Sequence, residues 1–215
     1  MVYLQLKEMG DPINITVYEG KNIKKVVIKK GVVSLPDNAF KDCKKLKKIV
    51  LPSTLKRIGA RAFSNTTALK SLNLPNGIKT IKEYTFEKSG IEKVNIPKTV
   101  KKIGAYAFEG CPIKNISIPK SVKSIEPGAF ASSSIKSITI PKTVKKLGEG
   151  VFGNCKKLES ITMPGNIGVI KYEIPDYEYQ PKSFVGDSCK SLKKIKFTTS
   201  LNINILKRVG KSGGF

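Results

Sequence analysis

Apolar residues recur along the 215-residue chain at fixed offsets from a proline, and polar residues fill the places between them. Ile135, Ile138, Ile140, Pro141, Val144, Leu147, Val151 and Phe152 give the skeleton. One period earlier it reads Ile113, Ile116, Ile118, Pro119, Val122, Ile125, Ala129 and Phe130. Before that it is Ile91, Val94, Ile96, Pro97, Val100, Ile103, Ala107 and Phe108. Phe40, Phe63, Phe86, Phe108, Phe130 and Phe152 stand 22 or 23 residues apart. Pro52, Pro75, Pro97, Pro119, Pro141 and Pro164 keep the same interval. Two independent markers with one period mean stacked repeats, each resting on its neighbours instead of closing a core of its own.

The pattern predicts eight short strand cores: Ile23/Val26/Ile28, Leu46/Ile49/Leu51, Leu69/Leu72/Leu74, Ile91/Val94/Ile96, Ile113/Ile116/Ile118, Ile135/Ile138/Ile140, Leu158/Ile161/Met163 and Leu192/Ile195/Phe197. Each ends on aliphatics two residues apart, which share one face of a strand. The proline that follows has no N–H for a ladder and ends the strand. The next apolar pair, such as Val100 and Ile103, is expected to carry the chain to the far side. There Gly104-Ala105-Tyr106-Ala107-Phe108 is too short for a full helix, so a helical turn or 3₁₀ piece is expected.

Residues 1–22 read as a cap or degenerate first repeat, since Tyr3-Leu4-Gln5-Leu6 alternates and Gly10-Asp11-Pro12 signals a turn. The repeats occupy 23–200, and 201–215 form a C-terminal tail. One repeat is broken: Pro164 to Phe184 is 20 residues where Pro141 to Phe152 is 11. The extra residues lie near 171–179 and bring Tyr172, Tyr177 and Tyr179 together with three acids. Insertions of this kind form loops on a rim, and tyrosine is enriched at contact surfaces, so these three are candidate contacts. Folding of the acidic loop back onto its own basic surface explains the composition equally well.

The repeat Leu46-x-x-Ile49-x-Leu51-Pro52-x-x-Leu55-x-x-Ile58-x-x-x-Ala62-Phe63 resembles the BspA-like class of leucine-rich repeats, over about residues 23 to 200. The resemblance implies an α/β solenoid: a right-handed leucine-rich repeat horseshoe, with short parallel strands on the concave face and helical or 3₁₀ turns on the convex side. It also implies a bacterial or protist surface protein associated with adhesion. No asparagine recurs where the commoner leucine-rich pattern carries an Asn/Cys ladder; the Phe and Pro columns stand in its place.

Charge adds to this picture. The formal net charge is +24, with no histidine, and among 40 basic residues only Arg57, Arg61 and Arg208 are arginine. Lysine is a flexible point charge without the bidentate fork that reads guanine, so the balance suits general attraction to polyanions over sequence reading. A solvated solenoid surface accounts for the same lysines. No run approaches the ~20 apolar residues of a membrane span. Met1 to Asp11 has no apolar signal region, so a cytoplasmic location stays open beside a surface or secreted one. Cys43, Cys111 and Cys155 each follow a column Phe by three residues, and Cys189 matches them after the insertion. They read as small buried residues rather than a metal set.

Catalytic chemistry finds no purchase. Without histidine the usual general base and the Ser-His-Asp constellation are gone. Gly210-Lys211-Ser212 ends like a phosphate loop, but Ile205 stands where that loop needs glycine. The expectation is a non-enzyme with no catalytic residue, metal or cofactor. What remains is surface. Outward residues of the strands give a candidate concave binding face of Ser71, Asn73, Lys93, Asn95, Asn115, Ser117, Ser137, Thr139, Ser160 and Thr162. The turn positions give a candidate basic edge of Lys56, Arg57, Lys79, Lys101, Lys102, Lys123, Lys145 and Lys146. The leading expectation is adhesion to a protein or acidic glycan, with nucleic acid as a nonspecific partner only. An intracellular interaction scaffold and a nonspecific polyanion binder are the alternatives.

Overall fold

The structure, a computed structural model, describes residues 3–6, 22–170 and 189–199. Each repeat begins with a strand place, which in the central repeats ends just before the proline. This first strand line comprises Tyr3–Leu6, Lys25–Ile28, Lys48–Val50, Ser71–Asn73, Lys93–Asn95, Ser137–Thr139, Ser160–Met163 and Lys194–Phe197. All pairing within it is parallel and in register, as when Ile138 faces Ile161 and Ile161 faces Ile195. Val26, Ile49, Leu72, Ile138 and Ile161 point inward and are buried, as the two-residue alternation requires. The proline then opens a tight turn: the N–H groups of Leu55, Ile78, Val100, Val122 and Val144 donate to the carbonyls of Pro52, Pro75, Pro97, Pro119 and Pro141.

Beyond the turn lies a second strand line that the sequence reading treated as a simple return. It comprises Ser34–Leu35, Arg57–Ile58, Thr80–Ile81, Lys102–Ile103, Ser124–Ile125, Lys146–Gly148 and Gly168–Ile170, again parallel where paired, with no pairing between Arg57–Ile58 and Thr80–Ile81. Pairs such as Val100 and Ile103 therefore bury themselves under a sheet of their own. Hydroxyls tie this corner rung to rung: Thr54, Thr99 and Ser121 donate to the carbonyls of Val32, Ile78 and Val100 at 2.7–2.9 Å.

The far side corrects the expectation of helical or 3₁₀ turns, because no helix occurs among the described residues. The reason is backbone handedness. Asn38, Arg61, Tyr84, Tyr106, Gly128 and Gly150, two residues before each column Phe, have φ between 53° and 63°. Asp42, Asn65, Lys88, Gly110, Ser132 and Asn154, two residues after it, have φ between 51° and 68°. Two left-handed residues per repeat interrupt any right-handed helical run. The turns bond along the stack instead: Phe40, Phe63, Phe86, Phe108 and Phe130 donate N–H to the carbonyls of Ala62, Thr85, Ala107, Ala129 and Val151. Only two of the three sides are strands, yet all three are laddered.

The core runs as one column between these sides. The six column rings are fully buried and stacked, with centroids 5.2–6.1 Å apart and planes within 12°. Beside them the place three residues after each Phe holds Cys43, Thr66, Ser89, Cys111, Ser133 and Cys155. Thr66 Oγ1 donates to Phe63 O at 2.7 Å, Cys111 Sγ to Phe86 O at 2.9 Å and Cys155 Sγ to Phe130 O at 3.1 Å. This buried Ser/Thr/Cys column, more than the prolines, satisfies main-chain carbonyls as an asparagine ladder would. The four cysteines are buried. Burial pushes the Cys111 thiol up to about 12 and Cys189 to about 11.

Candidate functional site

The first strand line is interrupted twice: no pairing joins Lys48–Val50 to Ser71–Asn73, and at the second break a whole strand is missing. Asn115, Ile116 and Ser117 hold the strand place between Lys93–Asn95 and Ser137–Thr139, yet they join no strand pair. At this second break Pro112 removes a donor. Gly90 and Ser134 occupy the matching place in the repeats on either side, and their N–H groups donate to Thr66 O (3.1 Å) and Cys111 O (3.3 Å). Proline has no N–H to give, so the link that seats the strand on the preceding rung is missing. The next rung still holds, through Lys136 N–H to Lys114 O at 3.2 Å. The inward aliphatics on both sides of the fault, Val94 and Ile116, are only half-buried, whereas Leu72 and Ile138 are buried.

A groove of about 780 Å³ lies at this interruption. Its floor carries Ile116, Ile118, Ile138 and Pro141, and its walls carry Asn115, Ser117, Ser137, Thr139, Ser160, Thr162 and Lys120. Of the ten residues expected on this face, six thus share one cavity. Ser71, Asn73, Lys93 and Asn95 are exposed on the neighbouring rungs outside it. Ser160 and Thr162 are half-buried, not freely exposed. The apolar floor escaped the sequence reading, and Pro112 was the signal that would have revealed it. Tyr172, Tyr177 and Tyr179 lie outside the described residues.

The expected basic edge is a sheet face. Arg57, Lys102 and Lys146 lie within the second strand line, and Lys56, Lys79, Lys101, Lys123 and Lys145 immediately precede its strands; all eight are exposed. Lys102 is partly neutralised by Glu126, 3.0 Å away, and Arg57 Nε donates to Ser34 Oγ at 3.0 Å. Acids keep to the phenylalanine-bearing turns that follow the second line: Asp37, Asp42, Glu83, Glu87, Glu109, Glu126 and Glu149. Among residues 22–170 only Glu92 and Glu159 lie elsewhere. The Ala60 N–H, with Lys82 beside it, holds the Asp37 carboxyl below the usual carboxylate range. Burial, with Glu87 nearby, pushes Glu109 above it. On the same side Arg61 lies 4.1 Å from the Tyr84 ring centroid, and Tyr84 stacks on Tyr106 at 5.2 Å. The second tyrosine covers the bare Cα of Gly128, where any Cβ would meet its ring at 2.3 Å.

The model of the BspA type leucine rich repeat region matches residues 11–97 and 79–204, in six copies. The chain belongs to this family. Leucine-rich repeat proteins are generally non-catalytic protein-interaction modules. A leucine-rich cell surface protein of Faecalibacterium prausnitzii A2-165 is similar in structure, with a TM-score of 0.53 at 21% identity over 90% of this chain and 64% of that one. The pneumococcal vaccine antigen PcpA gives 0.50 at 20% identity, over 83% and 57%. This chain therefore spans under two thirds of either protein's length, and at such identities the likeness shows the fold alone. Among curated proteins none matches. Within the described residues of this BspA-type chain, no helix is long and apolar enough to cross a membrane.

Proposed function

We propose that the chain is a non-catalytic adhesion module of a secreted or surface-displayed protein, and that it holds a segment of a protein partner in the groove beside Pro112. The observation that carries the reading is the coincidence at one place of a broken rung, an apolar floor and a rim of hydroxyls and amides. A groove of this volume falls in the range of ordinary ligand sites. Its floor accepts aliphatic side chains, while its rim meets the alternating N–H and C=O groups of an extended peptide. Among the described residues no aromatic side chain lines it, which disfavours sugar stacking there. The surrounding lysines steer acidic partners towards it. Surface display draws on the similarity to a leucine-rich cell surface protein.

The test is binding of the chain to an array of extracellular-matrix and microbial surface proteins at about 0.15 M and about 0.5 M salt, conditions that separate screened from contact-driven association. A signal that survives the higher salt and falls when Ser117 and Thr139 are both replaced by lysine supports the groove. Signals that vanish at high salt, or that ignore those replacements, sink it.

A further inference from the structure

The second strand line carries a feature that the groove does not use. Lys56, Lys79, Lys101, Lys123 and Lys145 form a column with one ammonium group on each of five successive rungs. From Lys79 onward its register is fixed by the main chain, whereas no strand pairing joins the Lys56 rung to the Lys79 rung: Lys101 N–H donates to Lys79 O, Lys123 N–H to Lys101 O and Lys145 N–H to Lys123 O, each at 2.8 Å. Rungs in such a ladder are about 4.8 Å apart. Among the ion pairs of the described residues, at Lys41, Lys70, Lys82, Lys88 and Lys102, none uses a member of this column. Like charges at that spacing repel, so the fold gains nothing from holding them in line. The acids nearest in sequence sit on the phenylalanine-bearing turns, where Glu126 pairs with Lys102 of the neighbouring column and not with a member of this one.

The neighbouring column adds hydrogen-bonding groups. In it Thr80 faces Lys102, Lys102 faces Ser124 and Ser124 faces Lys146, so hydroxyls alternate with cations. We propose that this face binds a linear acidic glycan laid along the stack. Its sulfates or carboxylates meet the lysine column, and its sugar hydroxyls bond to Thr80 and Ser124. The rung spacing is close to the length of one sugar unit, so an anionic group on each sugar finds a cation without bending the polymer. Nucleic acid is disfavoured, because the outward positions of this line offer no aromatic platform for bases. The site is independent of the groove, which opens on the other strand line.

The experiment uses the intact chain and four probes at about 0.15 M salt: heparan sulfate oligosaccharide, its desulfated counterpart, polyphosphate and single-stranded DNA. The variant Lys79→Ser/Lys101→Ser/Lys123→Ser is compared with Lys47→Ser/Lys48→Ser/Lys194→Ser, which removes equal charge from around the first line. The first variant is expected to weaken heparan sulfate binding at least tenfold and the second no more than about threefold. Thr80→Ala/Ser124→Ala is expected to weaken the glycan several-fold at unchanged charge and to leave polyphosphate binding unchanged. All replaced lysines are exposed, and circular dichroism confirms the fold of each variant. Equal losses in the two lysine variants overturn the proposal in favour of undirected charge. So does a Thr80/Ser124 variant with unaltered glycan binding, or binding of polyphosphate or DNA as tight as that of heparan sulfate. Protein capture in the groove at about 0.5 M salt is unchanged by the second-line variants, so failure here leaves that reading standing.

Discussion

The phenylalanine column and the first strand line belong to the same repeats and answer to different demands. On the column every rung presents the same buried ring to the rung above and below, and no stacking contact is missing from Phe40 to Phe152. The strand line carries equivalent inward aliphatics, yet its ladder fails between Lys48–Val50 and Ser71–Asn73 and again at Asn115–Ser117, where Val94 and Ile116 are half-buried. A stack of repeats is stabilised by its nearest-neighbour interfaces. It can therefore tolerate a fault on one side of a rung while the other side continues to hold the register. The column supplies stability, and the fault supplies a groove.

Removing a ring from the column tests the first half of that statement with the largest effect. Phe108→Ala leaves a cavity flanked by Phe86 at 5.2 Å and Phe130 at 5.5 Å. A loss of about 3–5 kcal/mol is expected, read as a lower midpoint in urea unfolding. A smaller loss than Ile138→Ala would reverse the proposed division of labour. Next comes Gly148→Ala, at a close approach on the second line. There a Cβ would lie 2.1 Å from Pro127 N and 2.3 Å from the Glu126 carbonyl carbon, so main chain must move. Overpacking of this kind costs about 1–3 kcal/mol. Gly150→Ala, with open space around its Cβ, suffers only the strain of its left-handed φ of 58°.

The fault itself is probed by a pair of truncations at equivalent strand places. Ile138→Ala, in a paired and buried rung, is expected to cost about 2–5 kcal/mol. Ile116→Ala, in the half-buried rung after Pro112, is expected to cost less than half as much. Equal costs in thermal or urea unfolding would mean that the interrupted rung packs as tightly as its neighbours. Restoring a donor should then sharpen the difference: Pro112→Ser places an N–H where Ser134 has one, and is expected to protect the amides of Asn115 and Ser117 from hydrogen exchange.

The repeat, its strand places and the buried column were legible in the sequence because each demand falls on a side chain type at a fixed interval. Phe63 and Phe86 announce a column whatever surrounds them. The turns were not legible, because handedness there is a main-chain property shared by unlike residues: Arg61, Tyr84 and Gly128 occupy one left-handed place. The second strand line was missed because two-residue strands such as Thr80–Ile81 bury one side chain each, too few to show an alternation. Within the groove, the hydroxyl and amide rim could be read from the strand alternation. The apolar floor could not, since Ile116 and Ile138 carry the same core signature on paired and unpaired rungs. Only Pro112, judged by its missing N–H, separates the two.

The smallest effects concern the acids along the phenylalanine side, and they carry opposite signs. The Glu109 carboxyl is raised in the fold, chiefly by burial, so the native state binds its proton more tightly than the unfolded chain does. That contribution is fully present below the ordinary carboxylate range and is lost as pH rises through the raised native value, which leaves a penalty at neutral pH. Glu109→Gln is therefore expected to raise the unfolding temperature slightly at pH 7 and to leave it unchanged at acid pH. Asp37 is lowered, chiefly by the Ala60 N–H at 2.8 Å, so its contribution is present above the ordinary range and disappears as pH falls through the lowered native value. Asp37→Asn is expected to lower the unfolding temperature slightly at pH 7 and to converge with the parent in acid. Because the Asp37 side chain is 59% exposed, solvent screening keeps its effect small. Thermal scans of both variants across the carboxylate range decide the matter. Two shifts of the same sign would show that net charge alone governs these turns, whereas opposite signs trace each to its own contact: a neighbouring rung's N–H for Asp37, and burial beside Glu87 for Glu109.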